Sequence, residues 1–495
     1  MGRLLLWGVF LALPGCVTNA PVPEARAPIR RVVDLNVGES IDVELSNGKK
    51  AAVKLLDLRE QRDDLRQAIR EARVKVSIDG TEVELEATSY NLPVDAAGVR
   101  IDCPITKGWY EKTNVDRWGL GGKDARIRLW PAGSPLLEPG SFVYPVRQRW
   151  FASDTQMCNE PVFADGPEPA IGASRGKVYY HSGLDFDGSE GLVEIVAAAD
   201  AIVVSAGKNV SPDYKDQPVG PANDVIVLRD DRGWHYWYAH LKTIEARAGQ
   251  AVHKGQRLGL MGKEGGSGGC SHLHFEIKCR QPSGLWGTED AYAYAWEAYV
   301  RDHAPPILAV ARPHRLALVG QKVTLDGRKS RSFAGAIVKY EWTFTDGSSA
   351  SGPAVERTYA APGSCSEVLK VTDEKGNSDY DFTVVQVFDG DTREKMPPTI
   401  NPNYYPTFGI QPGDPVIFRV RTFATRAGEE TWDFGDGSPK VKVQSDGNAQ
   451  PHAPHGYAET VHRYAKSGHY LVRVERTGHN GAKAVNHLHV RVGEK

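Results

Sequence analysis

Three stretches of this chain place histidines and a carboxylate at spacings that suit a metal site. The first is Tyr180-His181-Ser182-Gly183-Leu184-Asp185-Phe186-Asp187. The last is Ser271-His272-Leu273-His274-Phe275-Glu276-Ile277, directly after the Gly-rich run Gly265-Gly266-Ser267-Gly268-Gly269-Cys270. Between them lies Trp234-His235-Tyr236-Trp237-Tyr238-Ala239-His240-Leu241. In the last stretch apolar and polar residues alternate with period two, the pattern of a half-buried strand. His272, His274 and Glu276 then share one face, while Leu273, Phe275 and Ile277 point into a core. Residues two apart on a strand are separated by roughly 6.6 Å. Two imidazoles at that spacing can serve one site in different roles, one as ligand and one beside a bound water. His181 and Asp185 share a face if their segment is extended; Asp187 has the same parity, so spacing alone does not separate the two carboxylates. A lone His-x-His is more often solvated or structural, and the argument therefore rests on all three segments. Together they offer two histidines and one aspartate as ligands, with two histidines to spare. That is the stoichiometry of a catalytic zinc site, where three protein ligands leave a position for water.

The order His-Ser-Gly-Leu-Asp, Tyr-Ala-His-Leu, Gly255-Gln256-Arg257-Leu258-Gly259 and His-Leu-His-Phe-Glu resembles the lysostaphin/LytM-type zinc metallopeptidases, which cut peptidoglycan peptides. The likeness spans residues 166–300. It implies an antiparallel β-sheet metallopeptidase domain with His181, Asp185 and His274 as zinc ligands, which decides for Asp185 over Asp187. It also implies His240 and His272 as the catalytic histidines, orienting the water, shuttling its proton and stabilising the tetrahedral oxyanion. One departure is visible: Gly269-Cys270-Ser271 stands where that family usually has Gly-Pro. All five positions are filled.

These residues need elements to position them. The chain has 495 residues, enough for three or four domains at about 100–200 residues each. Its 51 Gly, 31 Pro and 41% hydrophobic content suit a mainly β, turn-rich, multidomain protein. With 60 basic against 62 acidic residues and no basic stretch, the composition speaks against a nucleic-acid partner. Residues 1–16 read as an export signal: Arg3 precedes the apolar run Leu4 to Leu13, too short to span a bilayer. The run ends in Leu13-Pro14-Gly15-Cys16, which resembles a bacterial lipobox and implies acylation of Cys16 and a lipid anchor. Residues 17–29, rich in Ala and Pro, read as a linker.

Residues 30–165 are expected to form a β-rich domain. Strand alternation runs through Lys75-Val76-Ser77-Ile78, Glu82 to Glu86 and Ala125 to Trp130, and Asp79-Gly80 is a hairpin signal. Asp63 to Glu71 reads as a short exposed helix. Beyond Pro305 an internal repeat appears: Tyr340-Glu341-Trp342-Thr343-Phe344-Thr345-Asp346-Gly347 has its counterpart in Thr431-Trp432-Asp433-Phe434-Gly435-Asp436-Gly437. The second copy resembles the PKD family of extracellular Ig-like domains, so β-sandwiches are expected at 305–390 and 396–493. Such domains act as spacers or bind proteins and glycans.

With Cys16 set aside, five cysteines remain. Cys103–Cys158 is the first pairing expected in an exported protein and Cys270–Cys279 the second. No Cys-x-x-Cys is present to build a thiolate zinc site. Among other histidines, His235 has opposite parity to His240 and reads as structural, and His253 as solvated. His487 and His489, a second His-Leu-His, read as exposed strand residues, and His452 and His455 as solvated loop residues. Tyr236 and Tyr238 line either a groove or a core, and Glu276 is either a partner that orients a histidine or a surface residue. The expected function is a zinc metalloendopeptidase acting on peptidoglycan cross-links or stem peptides, exported and lipid-anchored to a bacterial membrane. The alternative is a non-catalytic cell-wall-binding protein or hydrolase activator with the same fold; a peptidase acting on extracellular proteins is a weaker third reading.

Overall fold

A computed structural model describes residues 27–65, 67–109, 116–153, 161–163, 178–214, 219–390, 396–425, 428–478 and 481–494. Strands dominate them, and the single α-helix among the described residues is Tyr292–His303. No described helix is long and apolar enough to cross a membrane. Cys16 and Cys158 lie outside the described residues.

The N-terminal region is built from two four-stranded antiparallel sheets. One runs Arg31–Leu35, Ala125–Pro131, Val99–Thr106, Val94–Ala96; the other runs Ser40–Glu44, Lys50–Arg62, Ile69–Ile78, Thr81–Thr88. Val53, Leu55, Val74 and Val76 of the second meet Ile101, Ile127 and Leu129 of the first in one core. Asp79 and Gly80 turn the hairpin at φ 50° and 86°, with Ile78 opposite Thr81, as the Asp-Gly signal predicts. The helix expected over Asp63 to Glu71 is not formed. The Lys50–Arg62 strand instead turns back, pairing Arg62 with Ile69. Gln67 sits at φ 57°, outside the right-handed helical region. Burying Ala68 and Ile69 completely outweighs the charge pattern that favoured a solvated helix.

The central region holds an antiparallel sheet in the order Leu184–Asp187, His272–Arg280, His235–Ala239, Ile226–Arg229, Ala201–Ala206. Leu273, Phe275 and Ile277 are at most 1% exposed and pack with Leu184, Phe186, Tyr236 and Tyr238. The two tyrosines therefore belong to the core: Tyr238 Oη accepts from Ala198 N–H at 2.8 Å and Tyr236 Oη donates to Asp230 at 2.8 Å. His235 is completely buried against Trp286, and burial pulls its pKa down to about 4. The helix Tyr292–His303 covers this core with Tyr292, Ala295 and Tyr299.

A buried charge cluster joins the first two regions. Glu289, at the end of the Trp286–Glu289 strand, accepts from Arg30 Nε at 2.9 Å, Arg128 Nη1 at 2.8 Å and Tyr294 Oη at 2.7 Å. Burial alone would raise its pKa, yet Arg30 and Arg128 hold it down near 2.

Two sandwiches follow, each centred on a completely buried tryptophan, Trp342 and Trp432. Their sheets merge through a short parallel pairing, Gly363 with Lys483 and Ser364 with Ala484. This seam corrects the reading of the second His-Leu-His. His487 is buried rather than exposed, stacked on Phe382 at 5.7 Å and bonded through Nδ1 to Ser366 Oγ at 3.0 Å. His489 lies between Asp379 and His469. Both are interface residues because the strand that carries them is central, not an edge.

Cys103, Cys279 and Cys365 carry free thiols and no disulfide joins Cys279 to Cys270, which overturns the Cys270–Cys279 pairing. Cys270 precedes the extended His272–Arg280 strand and Cys279 lies near its far end, nine residues or roughly 30 Å along at the usual rise per residue, whereas a disulfide needs Cα atoms within about 7 Å. Cys279 Sγ accepts instead from Arg30 and Gln281, each at 3.2 Å. Cys103, the other expected half-cystine, is buried beside its own strand.

Candidate metal centre and active site

The antiparallel register between Leu184–Asp187 and His272–Arg280 sets Asp185 directly opposite His274 and Asp187 opposite His272. His181 reaches the same point because the chain kinks at Gly183, where φ is 105°. A Cβ there would lie 2.7 Å from the Phe275 carbonyl oxygen, so only glycine lets the His181 segment close over the His274 strand. The outcome is a triangle of donor atoms. His181 Nε2 lies 2.9 Å from His274 Nδ1 and 3.2 Å from Asp185 Oδ1, and His274 Nδ1 lies 3.0 Å from the same oxygen.

This set fits a divalent cation. Tetrahedral bonds of about 2.0–2.1 Å put neighbouring ligand atoms about 3.3 Å apart, close to all three edges. Two imidazole nitrogens and a carboxylate oxygen converging on one point are a metal-binding donor set, and these three residues form such a group in the structure. The local field agrees. Burial disfavours a protonated His274, yet Asp185 and Glu276 raise its pKa to about 9. Burial likewise opposes ionisation of Asp185, but His181 and the hydrogen bonds from His181 and His274 hold it well below the usual carboxylate range. A pocket that pulls this strongly on a proton also favours a cation.

His240 and His272 stand beside the triangle, their rings 4.7 Å apart. His240 follows the His235–Ala239 strand at φ 69°, a left-handed turn that swings its ring off the sheet. Its Nδ1 donates to the Glu264 carbonyl at 2.8 Å, with Asp224 Oδ2 at 3.4 Å. His272 Nδ1 donates to the Cys270 carbonyl at 3.0 Å, and its Nε2 lies 3.6 Å from Asp185 Oδ2. Carbonyl oxygens only accept, so both rings carry their proton on Nδ1 and keep Nε2 as the basic nitrogen. Burial, partly opposed by Asp185, lowers the His272 pKa to about 4, which keeps that imidazole neutral.

The structure thus gathers all five sequence-derived residues into one cluster. It separates Asp185 from Asp187, whose carboxylate is taken up by Asn401 Nδ2 at 2.9 Å, Gly188 N–H at 2.8 Å and the Ser153 hydroxyl. Glu276 is 5% exposed; it receives the Thr288 hydroxyl and Lys278 and lies 3.9 Å behind His274 Nε2.

Sequence reasoning missed Asp224, which also accepts the His240 N–H at 3.1 Å. Its only trace was the Gly-rich run, for a side chain at Gly265 would collide with the Asp224 carboxylate.

Residues 179–283 match the model of peptidase family M23, and residues 303–387 and 401–492 each match a PKD domain model. The central region is a peptidase family M23 domain. Two PKD domains follow it, as the repeat implied. The M23 segment is 35% identical over 102 residues to an "uncharacterized metalloprotease" of Haemophilus influenzae, covering 21% of this chain and 19% of that protein. It is 36% identical over 113 residues to the murein hydrolase activator NlpD of Salmonella dublin, covering 23% and 26%. The chain therefore spans about a fifth to a quarter of the length of the curated relatives it matches. The catalytic domain of the antimicrobial peptidase lysostaphin from Staphylococcus simulans aligns at 25% identity and a TM-score of 0.20, over 28% of this chain and 92% of that one. The mainly β, multidomain architecture read from the sequence is the one found.

Proposed function

We propose that this chain is a zinc metalloendopeptidase that hydrolyses peptide bonds in peptidoglycan, exported and held to a bacterial membrane by acyl chains on Cys16. One observation carries the reading: the M23 domain keeps a complete two-histidine, one-aspartate triangle beside two histidines of fixed tautomer. Zinc held by His181, Asp185 and His274 would supply Lewis acidity, making water a better nucleophile near neutral pH and polarising the scissile carbonyl. His240 and His272, each with Nδ1–H committed to a backbone carbonyl, offer Nε2 to orient the attacking water and accept its proton. The same nitrogens, once protonated, stabilise the oxyanion and return the proton to the leaving amine. General acid–base help of this kind is worth about 10²–10⁴-fold. Asp224, 3.4 Å from His240 Nδ1, and Glu276, 3.9 Å from His274 Nε2, stand behind those rings as carboxylates commonly do around metal sites. The lipid anchor rests on the Leu-Pro-Gly-Cys16 sequence, and the PKD domains would hold the enzyme to surface glycan or protein.

The NlpD relative, named a murein hydrolase activator, favours a second reading in which the domain binds wall peptides without cutting them. Digestion of purified sacculi by the zinc-loaded full chain, with and without chelator, separates the two. The peptidase reading expects muropeptides newly cleaved in their peptides, lost on chelation. Unchanged sacculi would remove it and leave the activator.

A further inference from the structure

The second PKD domain does not hang free of the catalytic strand. Its Arg421 guanidinium, completely buried, donates to the Gly269 carbonyl at 2.7 Å while a two-pronged bond to Asp446 holds it in place. Asn448 Nδ2 donates to the Gly268 carbonyl at 3.0 Å. Tyr457 Oη accepts the Ser271 N–H at 2.9 Å and donates to Asn401 Oδ1 at 2.8 Å. Asn401 in turn donates to Asp187, and Ser271 Oγ donates to the Gly188 carbonyl at 2.7 Å. A closed polar ring therefore ties the end of the Leu184–Asp187 strand to the start of the His272–Arg280 strand, and PKD residues complete it. The loop it grips also supplies the Cys270 carbonyl that fixes the His272 tautomer.

Two sequence features are otherwise unexplained. Gly269 sits at φ 90°, where an added Cβ would meet Asn448, Arg421 Nη1 at 2.8 Å and Pro451 at 3.0 Å, all from the PKD domain. Ser271 stands next to His272, where the family resemblance leads one to expect proline. A proline has no N–H to give to Tyr457. The departure from the motif is the donor that the docked domain requires.

We propose that the C-terminal PKD domain is a positioning element of the active centre, with Tyr457, Asn448 and Arg421 holding the 268–271 loop so that His272 keeps its place. This rests on the peptidase reading only for its effect on turnover. The test uses the full chain and two readouts: amide hydrogen exchange of peptides spanning 265–271, with and without zinc, and kcat and KM on a wall peptide. Tyr457→Phe, which keeps the ring and removes the acceptor, is expected to speed exchange of these peptides about tenfold. It should lower kcat about tenfold with KM changed less than twofold and zinc content intact. Asn448→Ala should act in the same direction. Ser271→Pro removes the same N–H···Oη bond and also the Ser271 Oγ bond to Gly188, so it should cost turnover in the wild type and distinctly less in the Tyr457→Phe background, where the shared bond is already gone. Wild-type exchange in Tyr457→Phe, or independent effects of the two substitutions, would overturn the proposal. If the wild type shows no turnover, the peptidase reading fails, and the exchange readout alone decides whether the domain holds the loop.

Discussion

His272-Leu273-His274 and His487-Leu488-His489 are the same three residues on the same kind of strand, with leucine packed inward both times. Their fates differ because of what lies across the sheet. His274 faces Asp185, with Glu276 behind it and His181 folded over it. His487 faces Arg473 in the register and stacks on Phe382, with Ser366 as its partner. Carboxylates raise the first to about 9, whereas burial, then Arg473, push the second down to about 3. A His-Leu-His strand is therefore an offer of two imidazoles, and the neighbouring strand decides whether it becomes a cation site or the seam of a sandwich.

The comparison is most sharply broken by emptying one site and not the other. His274→Ala or His181→Ala should abolish stoichiometric zinc and reduce turnover to background, while His487→Gln keeps both; elemental analysis of purified protein reads this. Next in size, His240→Ala or His272→Ala should retain zinc but lose about 10²–10⁴-fold in kcat. Equal zinc loss in all four catalytic-region variants would deny the division between ligands and proton carriers. Glu276→Gln should weaken zinc binding by about 10–100-fold, the usual effect of removing a carboxylate behind a ligand, measured by competition with a chromophoric chelator.

The smallest effect belongs to the sandwich seam. His487 has its folded pKa lowered from 6.5 to about 3, so between those values the unfolded chain binds the extra proton. Stability is thus full above pH 6.5 and declines as pH falls toward 3. At pH 5 the loss is at most about 2 kcal/mol. Thermal unfolding of the PKD region at pH 7.5 and pH 5 should show it, and His487→Gln should reduce it, leaving the share of His489, whose pKa burial lowers to about 4.

The chemistry-bearing strand was legible because period-two alternation survives burial: Leu273, Phe275 and Ile277 are inward as the pattern requires. The sandwiches were legible from Trp342 and Trp432, and the N-terminal hairpin from Asp79-Gly80. What stayed hidden was set by partners distant in sequence. Nothing local distinguishes Asp185 from Asp187 until Asn401, more than two hundred residues away, claims the latter. Asp63 to Glu71 looked helical because its charges mask Ala68 and Ile69, whose burial needs the facing sheet. His487 looked exposed because its strand's neighbour lies in the preceding domain.

The central claim is one cation gripped by His181, Asp185 and His274. X-ray absorption at the zinc edge of the full chain tests it directly. The account predicts one zinc per chain with two imidazole nitrogens and oxygen ligands at about 2.0–2.2 Å. A sulfur ligand at about 2.3 Å, which would place Cys270 or another thiol on the metal, or zinc well below one per chain, would contradict it.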